Sequence, residues 1–370
     1  MTHPQNPPFR AEHIGSLLRP RALVDAFKAR RTSGLEAALF KAILEESIAD
    51  AVRLQEDAGL QVVTDGEFRR VSYWSHFVDA VDGLTVADSL FVFRDDDGHE
   101  HGFTAPLAEA RIARNRPISG DEFDHLTGVA SRLPKITMPS PPTMHFWRGR
   151  QTIAPGVYDD EEAYFADLAR VFNAEILDLA ARGCRYVQID EVPLAMLCDP
   201  AVRETLAARG EDPQRLAARY VRLINECIRE RPAGLTIGLH LCRGNHKGKW
   251  LSSGGYESVA ELLFNETEVD AFFLEYDSER AGGFEPLRRL PATKVAVLGL
   301  VTTKSPALES EDDLARRIDS AAQFAPLDNL AVSPQCGFSS TIGGNPVTID
   351  DERRKLELVV QVAHRVWGSA

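Results

Sequence analysis

Short hydrophobic runs recur along the chain at intervals that suit buried β-strands. Each run is seven to nine residues long, and most are rich in Val, Ile, Leu or Phe. Continuous apolar runs bounded by turn residues are typical of strands that are covered on both faces. Eight runs fit this description: 10–16, 60–68, 133–141, 184–192, 235–242, 269–277, 294–301 and 329–337.

Longer segments between these runs carry apolar residues at three- and four-residue spacing, the period of an amphipathic helix. The pattern is clearest at 159–183, 212–234, 309–326 and 350–368, each of which ends on Gly or Pro. Eight strands that alternate with helices predict a closed barrel. We therefore predict an α/β fold, a single (β/α)8 TIM barrel domain over residues 1–370.

The segment 72–132 is too long to be a simple connection between the second and third strands. Within it, the stretch 90–105 predicts a β-hairpin around a DDDG turn. We predict an insertion that lies over the barrel mouth as a lid. A two-domain dinucleotide-binding fold is the main competitor, but its glycine-rich turn after an early strand is missing.

Charge and composition narrow the class of partner. The net charge is −13, and the basic residues are spread along helical segments, which argues against nucleic acid. No apolar stretch is long enough to span a bilayer, and the stretch MTHPQNPPFR lacks the apolar core of a signal peptide. The five cysteines are an odd number and widely spaced, so we expect a cytoplasmic protein without disulfides, with a homo-oligomer left open.

Metal-ligand residue types stand where predicted strands end. His240 and Cys242 lie two apart at the end of the fifth strand and so point to the same side. Glu275 ends the sixth strand and Cys336 the eighth, and the carboxyl ends of barrel strands share one mouth. A histidine, two thiolates and a carboxylate suit a tetrahedral Zn²⁺, which we predict here. Taken alone, a His-x-Cys pair is more often buried packing, as we expect for the other three cysteines.

Six ordered motifs resemble those of one family. HIGSLLRP, DGEF, QIDEVP, HLCRGN, FLEYD and SPQCGF occur in the order found in the catalytic half of cobalamin-independent methionine synthase. The resemblance covers nearly the whole chain. It implies a zinc-dependent methyltransferase that moves a methyl group to the thiol of homocysteine, with His240, Cys242, Glu275 and Cys336 as zinc ligands.

The resemblance also implies how homocysteine is held. Glu67 and Asp190 would accept charge-assisted hydrogen bonds from its ammonium group, and Ser16 would lie near its carboxylate. Asp65 and Glu191 have the alternative of capping a helix or supporting the neighbouring carboxylates. Adjacent strand positions point opposite ways and the register is not fixed, so Glu191 stays open as the ammonium ligand.

The methyl donor is less well defined. The segment 138–147 resembles a family segment whose tryptophan stacks on the pterin of methyltetrahydrofolate, and Trp147 falls at that position. A tryptophan beside a barrel mouth is as often a packing residue. The family's full-length enzymes carry a second, N-terminal barrel that helps to hold the polyglutamate tail, and this chain has room for one barrel. Folate and a corrinoid protein both remain open as donors.

Lys304 stands near the place of a family histidine that helps proton transfer to the leaving amine. A lysine is a poor acid at neutral pH, so a catalytic Lys304 would need burial that lowers its pKa.

Other functions stay open. An alkyl transfer to another thiol, as in epoxyalkane:coenzyme M transferase, needs a sulfonate pocket, for which Arg19, Arg69, Arg70 and Arg243 are the candidates. The motifs DGE and QIDE favour an amino-acid thiol instead. A binding protein with a structural zinc site rarely recruits a glutamate from a barrel mouth. A barrel of the uroporphyrinogen decarboxylase superfamily would not need the histidine and both cysteines.

Overall fold

The computed structural model describes residues 7–32, 34–94, 100–245 and 248–370. Its helices are α1 (Arg21–Thr32), α2 (Ala37–Asp57), α3 (Ser75–Ala80), α4 (Gly120–Val129), α5 (Thr143–Phe146), α6 (Glu161–Ala181), α7 (Pro193–Met196), α8 (Pro200–Ala208), α9 (Pro213–Ile228), α10 (Glu311–Ala321) and α11 (Ile349–Trp367). Its strands are β1 (Val62–Val63), β2 (Asp82–Arg94), β3 (Glu100–Ala113), β4 (Leu133–Pro134), β5 (Ile136–Pro139), β6 (Tyr186–Glu191), β7 (Thr236–Leu241), β8 (Ala271–Glu275), β9 (Val295–Val301) and β10 (Leu330–Pro334).

A six-stranded parallel sheet forms the centre of the molecule, in the order β10-β9-β8-β7-β6-β5. Nearly every residue of these strands is buried, because helices cover one face and inward side chains fill the other. Six of the eight predicted runs are therefore confirmed as strands. All six strands run in the same direction, so their carboxyl ends lie along one edge.

The first two predicted runs are much shorter than expected. The run 60–68 contributes only β1, which pairs in parallel with β4, and the run 10–16 contributes one parallel bridge from Ala11 to Val332 of β10. The physical reason is backbone conformation, because Gly15 and Gly66 adopt positive φ angles of 126° and 70° that end extended structure. These ladders extend the parallel pairing on both sides of the sheet without forming a continuous eight-stranded ladder.

The four predicted helices are confirmed as α6, α9, α10 and α11. Side chains cap three of them: Asp160 accepts from the N–H of Ala163, Asp212 accepts from Gln214, and Thr348 forms a capping box with Asp351. No helix among the described residues is long and apolar enough to cross a membrane.

The segment 72–132, which the sequence predicts to be an insertion, contains α3, the antiparallel hairpin β2–β3 and α4. The predicted hairpin is confirmed, and its strands are longer than the stretch 90–105. The DDDG turn itself lies outside the described residues.

A buried charged cluster lies near the amino-terminal ends of the strands, and we call it the Lys135 cluster (Glu12, His13, Lys135 and Tyr186). Lys135 and Glu12 are both fully buried, with 3.1 Å between Nζ and Oε2. Lys135 also donates to the carbonyl of His13, and the Tyr186 hydroxyl donates to Glu12 Oε1 at 3.0 Å. The carboxylate and the ammonium therefore have partners within the protein.

Candidate active site

Three side chains meet at the carboxyl edge of the sheet. His240 is the second-last residue of β7, Cys242 directly follows that strand, and Cys336 follows β10. Their ligand atoms all lie within 4.8 Å of one another, and the two sulfur atoms are 3.5 Å apart. We call this group the metal cluster (His240, Cys242 and Cys336). All three residues are buried.

The donor set of the metal cluster fits a metal ion. Neither ring nitrogen of His240 makes a hydrogen bond of good geometry among the described residues, although the side chain is buried. A buried imidazole without partners is costly, and a metal ion would satisfy it. The hydrogen bond from Cys242 lowers the pKa of the Cys336 thiol, against the effect of burial. Two sulfur ligands and one nitrogen ligand suit Zn²⁺.

Glu275, the fourth predicted ligand, lies at the end of β8 and is not part of the metal cluster. Its Oε1 accepts hydrogen bonds from Lys304 Nζ at 2.9 Å and from Arg280 at 2.5 Å, and its Oε2 accepts from the N–H of Arg243 at 3.0 Å. The structure thus brings together three of the four predicted ligands. The fourth, the carboxylate of Glu275, is surrounded by cationic side chains. Its role as a ligand stays a prediction.

The lowered pKa that a catalytic Lys304 would need is not found. Burial alone would lower the pKa of Lys304, but the carboxylates of Glu275 and Asp277 outweigh it and raise that pKa. Lys304 Nζ lies 2.9 Å from Glu275 Oε1 and 3.0 Å from Asp277 Oδ2. Because the ion pairs stabilise the ammonium form, this lysine is a weaker acid than free lysine.

The metal cluster opens into a cavity of about 980 Å³, which we call the site cavity. Four predicted substrate residues line it together with the metal cluster: Ser16, Glu67, Trp147 and Asp190. Gly337 approaches Ser16 so closely that a Cβ at this position would collide with Ser16 Oγ. Glycine is therefore required beside Cys336 to bring the loop with Ser16 against the metal cluster.

Glu67 is held in an unusual backbone conformation, with a φ of 60° that non-glycine residues seldom adopt. Asp65 Oδ1 accepts from its N–H at 2.8 Å, and Arg19 donates to its carbonyl at 2.6 Å. Its Oε1 accepts from Thr137 Oγ1 at 2.8 Å, while burial raises the pKa of the carboxyl. Asp65 thus supports the turn that aims Glu67 into the site cavity.

The register of β6 separates its two terminal carboxylates. Asp190 lines the site cavity, and burial, with Glu67 nearby, raises its pKa to about 7. Glu191 is fully buried on the other side, where its Oε1 accepts from the N–H of Leu194 at 2.6 Å, in the first turn of α7. The geometry therefore favours Asp190 over Glu191 as the residue that meets a ligand.

Trp147 follows α5 and belongs to an aromatic group. Its ring contacts Phe91, Phe103 and Phe146 edge-on, with centroid separations of 5.9, 5.2 and 5.2 Å. Phe103 lies in the inserted hairpin and also lines the site cavity. Trp147 therefore packs against the hairpin and also lines the cavity, and its role in stacking on a donor ring stays a prediction.

The insertion supplies much of the cavity wall. Tyr73, Trp74 and Val78, from α3 and the residues before it, line the site cavity with Val86 and Phe103 of the hairpin. The position of 72–132 as a lid over the mouth stays a prediction. Tyr73 was missed from sequence, because an aromatic residue in an insertion carries no motif.

None of the four arginines considered for a sulfonate lines the site cavity. Arg19 donates to backbone carbonyls, and Arg70 is buried against Glu122, with 2.7 Å between Arg70 Nη2 and Glu122 Oε2. Arg243 lies over the ring of Tyr256 at 4.3 Å, and Arg69 is 3.8 Å from Asp65. These arginines stabilise loops around the site instead of facing a ligand.

Comparison with known proteins agrees with this site. Residues 10–365 match the family described as the cobalamin-independent synthase, catalytic domain. The uncharacterized protein YxjH of Bacillus subtilis is 38% identical over 97% of this chain and 95% of its own length. The methionine synthase of Pyrococcus abyssi is 26% identical over 88% of this chain and 85% of its own length.

A solved structure from Listeria monocytogenes, named as a candidate vitamin-B12-independent methionine synthase, covers 99% of this chain and 100% of its own. It has 29% sequence identity and a TM-score of 0.78. The family match spans nearly the whole chain, including every residue of the metal cluster. This chain belongs to the cobalamin-independent methionine synthase catalytic-domain family.

Proposed function

We propose that this chain is a zinc-dependent methyltransferase that transfers a methyl group from a methyltetrahydropteroyl donor to homocysteine, forming methionine. The observation that carries the proposal is the metal cluster at the floor of a cavity that two carboxylates also line. We further propose that the strands close as a (β/α)8 barrel, with β1, β4 and the bridge at Ala11 completing the parallel sheet.

His240, Cys242 and Cys336 would hold the zinc ion, with Glu275 as the proposed fourth ligand. A bound Zn²⁺ lowers the pKa of a coordinated thiol, so that the thiolate is present at neutral pH. The methyl transfer forms an S–CH₃ bond and breaks the N–CH₃ bond of the donor. The electron pair of that bond stays on the donor nitrogen, and the proton lost by the thiol balances the one the nitrogen gains.

The carboxylates of Glu67 and Asp190 select the head of the thiol substrate. Both line the site cavity. Asp190 forms no ion pair with a lysine or arginine among the described residues, whereas Glu67 lies 3.6 Å from the guanidinium of Arg70, which does not line the cavity. An ammonium group would satisfy them and would favour their ionised forms, whereas a sulfonate would be repelled. This charge pattern supports homocysteine over coenzyme M as the thiol.

Trp147 is proposed to stack on the flat ring of the donor, because it faces the site cavity from a rigid aromatic group. The family description is cobalamin-independent, so the corrinoid alternative has no support. Lys304 is proposed as a positioning residue, since its ion pair with Glu275 holds that carboxylate, a second ion pair with Asp277 holds Lys304, and it is not among the residues that line the cavity.

The proposal is tested by replacing one thiol of the metal cluster. We expect Cys336→Ser to lose most of its bound zinc and to form methionine more than about 100-fold more slowly, because a hydroxyl is a poor zinc ligand. Metal analysis and a methionine assay measure the two effects. Cys184→Ser is the matched control, because Cys184 is buried away from the cluster and donates to the carbonyl of Tyr186. Full zinc content and activity in Cys336→Ser would contradict the proposal.

A further inference from the structure

Arg70 lies between two buried carboxylates and pairs closely with only one of them. Its Nε is 3.0 Å from Glu122 Oε1, and its Nη2 is 2.7 Å from Glu122 Oε2. This two-point geometry is the strong form of a pair between a guanidinium and a carboxylate. The other carboxylate, Glu67, lies farther away, with 3.6 Å between its Oε1 and Arg70 Nη1. The charge of Arg70 is therefore directed mainly at Glu122.

Thr137 separates Arg70 from Glu67. Its carbonyl accepts from Arg70 Nη2 at 2.7 Å, and its hydroxyl accepts from Arg70 Nη1 at 2.8 Å. The same hydroxyl donates to Glu67 Oε1 at 2.8 Å. A neutral group thus stands between the cation and Glu67, and the guanidinium forms no direct hydrogen bond with that carboxylate.

Burial makes this arrangement of charges effective. The side chains of Arg70, Glu67 and Glu122 are at most 5% exposed, so water screens their charges little. Burial is the largest cause of the raised pKa of Glu67, Arg70 opposes it, and the charge of Glu122 adds to it. Because Glu122 neutralises Arg70, the charge of Glu67 is only partly cancelled within the protein.

Glu122 is in no position to bind a ligand itself. It lies in the first turn of α4 and is not among the residues that line the site cavity. Glu67 does line the cavity, and no hydrogen bond from the described residues reaches its Oε2. A pair between Arg70 and Glu122 would by itself hold α4 to the loop before it. That role leaves unexplained why the Thr137 hydroxyl stands between Arg70 and Glu67.

We infer that Glu122 is a positioning residue for the thiol substrate, which binds Arg70 and so keeps Glu67 available to the ammonium group of homocysteine. The inference rests on the proposed function and deepens it, because it explains how a carboxylate beside an arginine can still bind a cation. Without the charge of Glu122, the guanidinium of Arg70 would pair with Glu67, and the ammonium group would have to compete with it.

The test compares two thiols that differ only in the ammonium group, homocysteine and 4-mercaptobutanoate. Isothermal titration calorimetry on the zinc-loaded full-length protein measures both dissociation constants without a methyl donor. We expect Glu122→Gln to weaken the binding of homocysteine about ten-fold and that of 4-mercaptobutanoate less than about two-fold. In steady-state assays, the KM for homocysteine should rise while kcat changes little, because Glu122 does not touch the reacting atoms.

A second variant covers the case in which Glu122→Gln folds poorly. The double variant Glu122→Gln, Arg70→Gln leaves no unpaired buried cation, and it removes the competitor for Glu67. Its preference for homocysteine over 4-mercaptobutanoate should return to within about three-fold of that of the unaltered protein. Asp124→Asn is the matched control, because Asp124 lies on the same helix, is 55% exposed and pairs with Arg182. It should keep both dissociation constants.

Two results would overturn the role of Glu122. One is an equal loss of affinity for the two thiols in Glu122→Gln, and the other is a double variant that still lacks the preference for homocysteine.

The proposed function is judged on the unaltered protein. If it binds homocysteine no better than 4-mercaptobutanoate, Glu67 does not hold an ammonium group, and the homocysteine assignment fails together with the inference. If it prefers homocysteine and Glu122→Gln keeps that preference, only the role of Glu122 fails.

Discussion

Two buried polar regions lie at opposite ends of the same strands, and they are satisfied in different ways. In the Lys135 cluster, the ammonium of Lys135 has Glu12 and a carbonyl as partners, and Glu12 also accepts from Tyr186. At the floor of the site cavity, both ring nitrogens of His240 lack a well-formed hydrogen bond among the described residues, and Asp190 lines the cavity while accepting from Gln188 at 2.8 Å. The Lys135 cluster is closed in the sense that its charged groups pair within the protein, although His13 Nδ1 has no hydrogen-bond partner among the described residues. The floor of the site cavity is open to a ligand.

This difference separates groups that stabilise the fold from groups that bind. Burying a charge without a partner costs several kcal/mol, so an open cluster persists only where a ligand or metal compensates for it or where the fold can bear the cost. The raised pKa values of Asp190 and Glu67 express that cost at the floor, since burial is the largest cause in both. The Lys135 cluster avoids this cost because the charges of Lys135 and Glu12 pair with each other.

The largest effect is expected from breaking the closed region. Lys135→Met leaves the fully buried carboxylate of Glu12 without its cation, which typically lowers the free energy of unfolding by about 3–5 kcal/mol. Denaturant unfolding measures the change, and metal analysis should show that zinc binding of the folded protein is kept. Lys41→Met is the control, because Lys41 is 71% exposed and pairs only loosely with Glu45. Stability equal to that of the unaltered protein would contradict the comparison.

A smaller effect, on binding instead of stability, is expected at the open region. Asp190→Asn removes the charge proposed to hold an ammonium group, and we expect the KM for homocysteine to rise about ten- to hundred-fold. Glu191→Gln is the matched control on the adjacent residue, because an amide oxygen can still accept from the N–H of Leu194. Steady-state kinetics on both variants show which of the two carboxylates binds the ammonium group. A rise in KM confined to Glu191→Gln would reverse the assignment.

The smallest effect concerns how the free energy of unfolding depends on pH through His13 in the closed region. Burial, with Lys135 nearby, holds the pKa of His13 well below its ordinary value of 6.5. The unfolded chain therefore binds a proton below pH 6.5 that the folded protein does not, so this histidine makes unfolding easier as the pH falls. We expect His13→Gln to remove up to about 1.4 kcal/mol per pH unit of this dependence between pH 5 and 6.5. Equal pH slopes for the variant and the unaltered protein, by denaturant unfolding, would show that His13 does not contribute.

The fold and the site were predicted best at positions where a single physical requirement, such as burial or metal binding, selects the residue type. Long apolar runs gave the six central strands, and sulfur and imidazole ligands at strand ends gave the metal cluster. The first two runs were overestimated because Gly15, Gly66 and Glu67 turn the backbone out of extended conformation. Conformations of this kind depend on tertiary contacts, such as that of the Arg19 guanidinium with the carbonyl of Glu67.

Other features depend on side-chain direction, which periodicity does not give. The choice between Asp190 and Glu191 needed the register of β6, and the pKa of Lys304 needed its two carboxylate partners.

The central claim is that the metal cluster holds a zinc ion to which the thiol of homocysteine is directed. Zinc-edge X-ray absorption on the purified protein tests it most directly, with and without homocysteine and with homoserine as the oxygen control. The account predicts about one zinc per chain, and one additional sulfur neighbour of the zinc with homocysteine only. A protein that contains no zinc, or a zinc environment that homocysteine leaves unchanged, would contradict it.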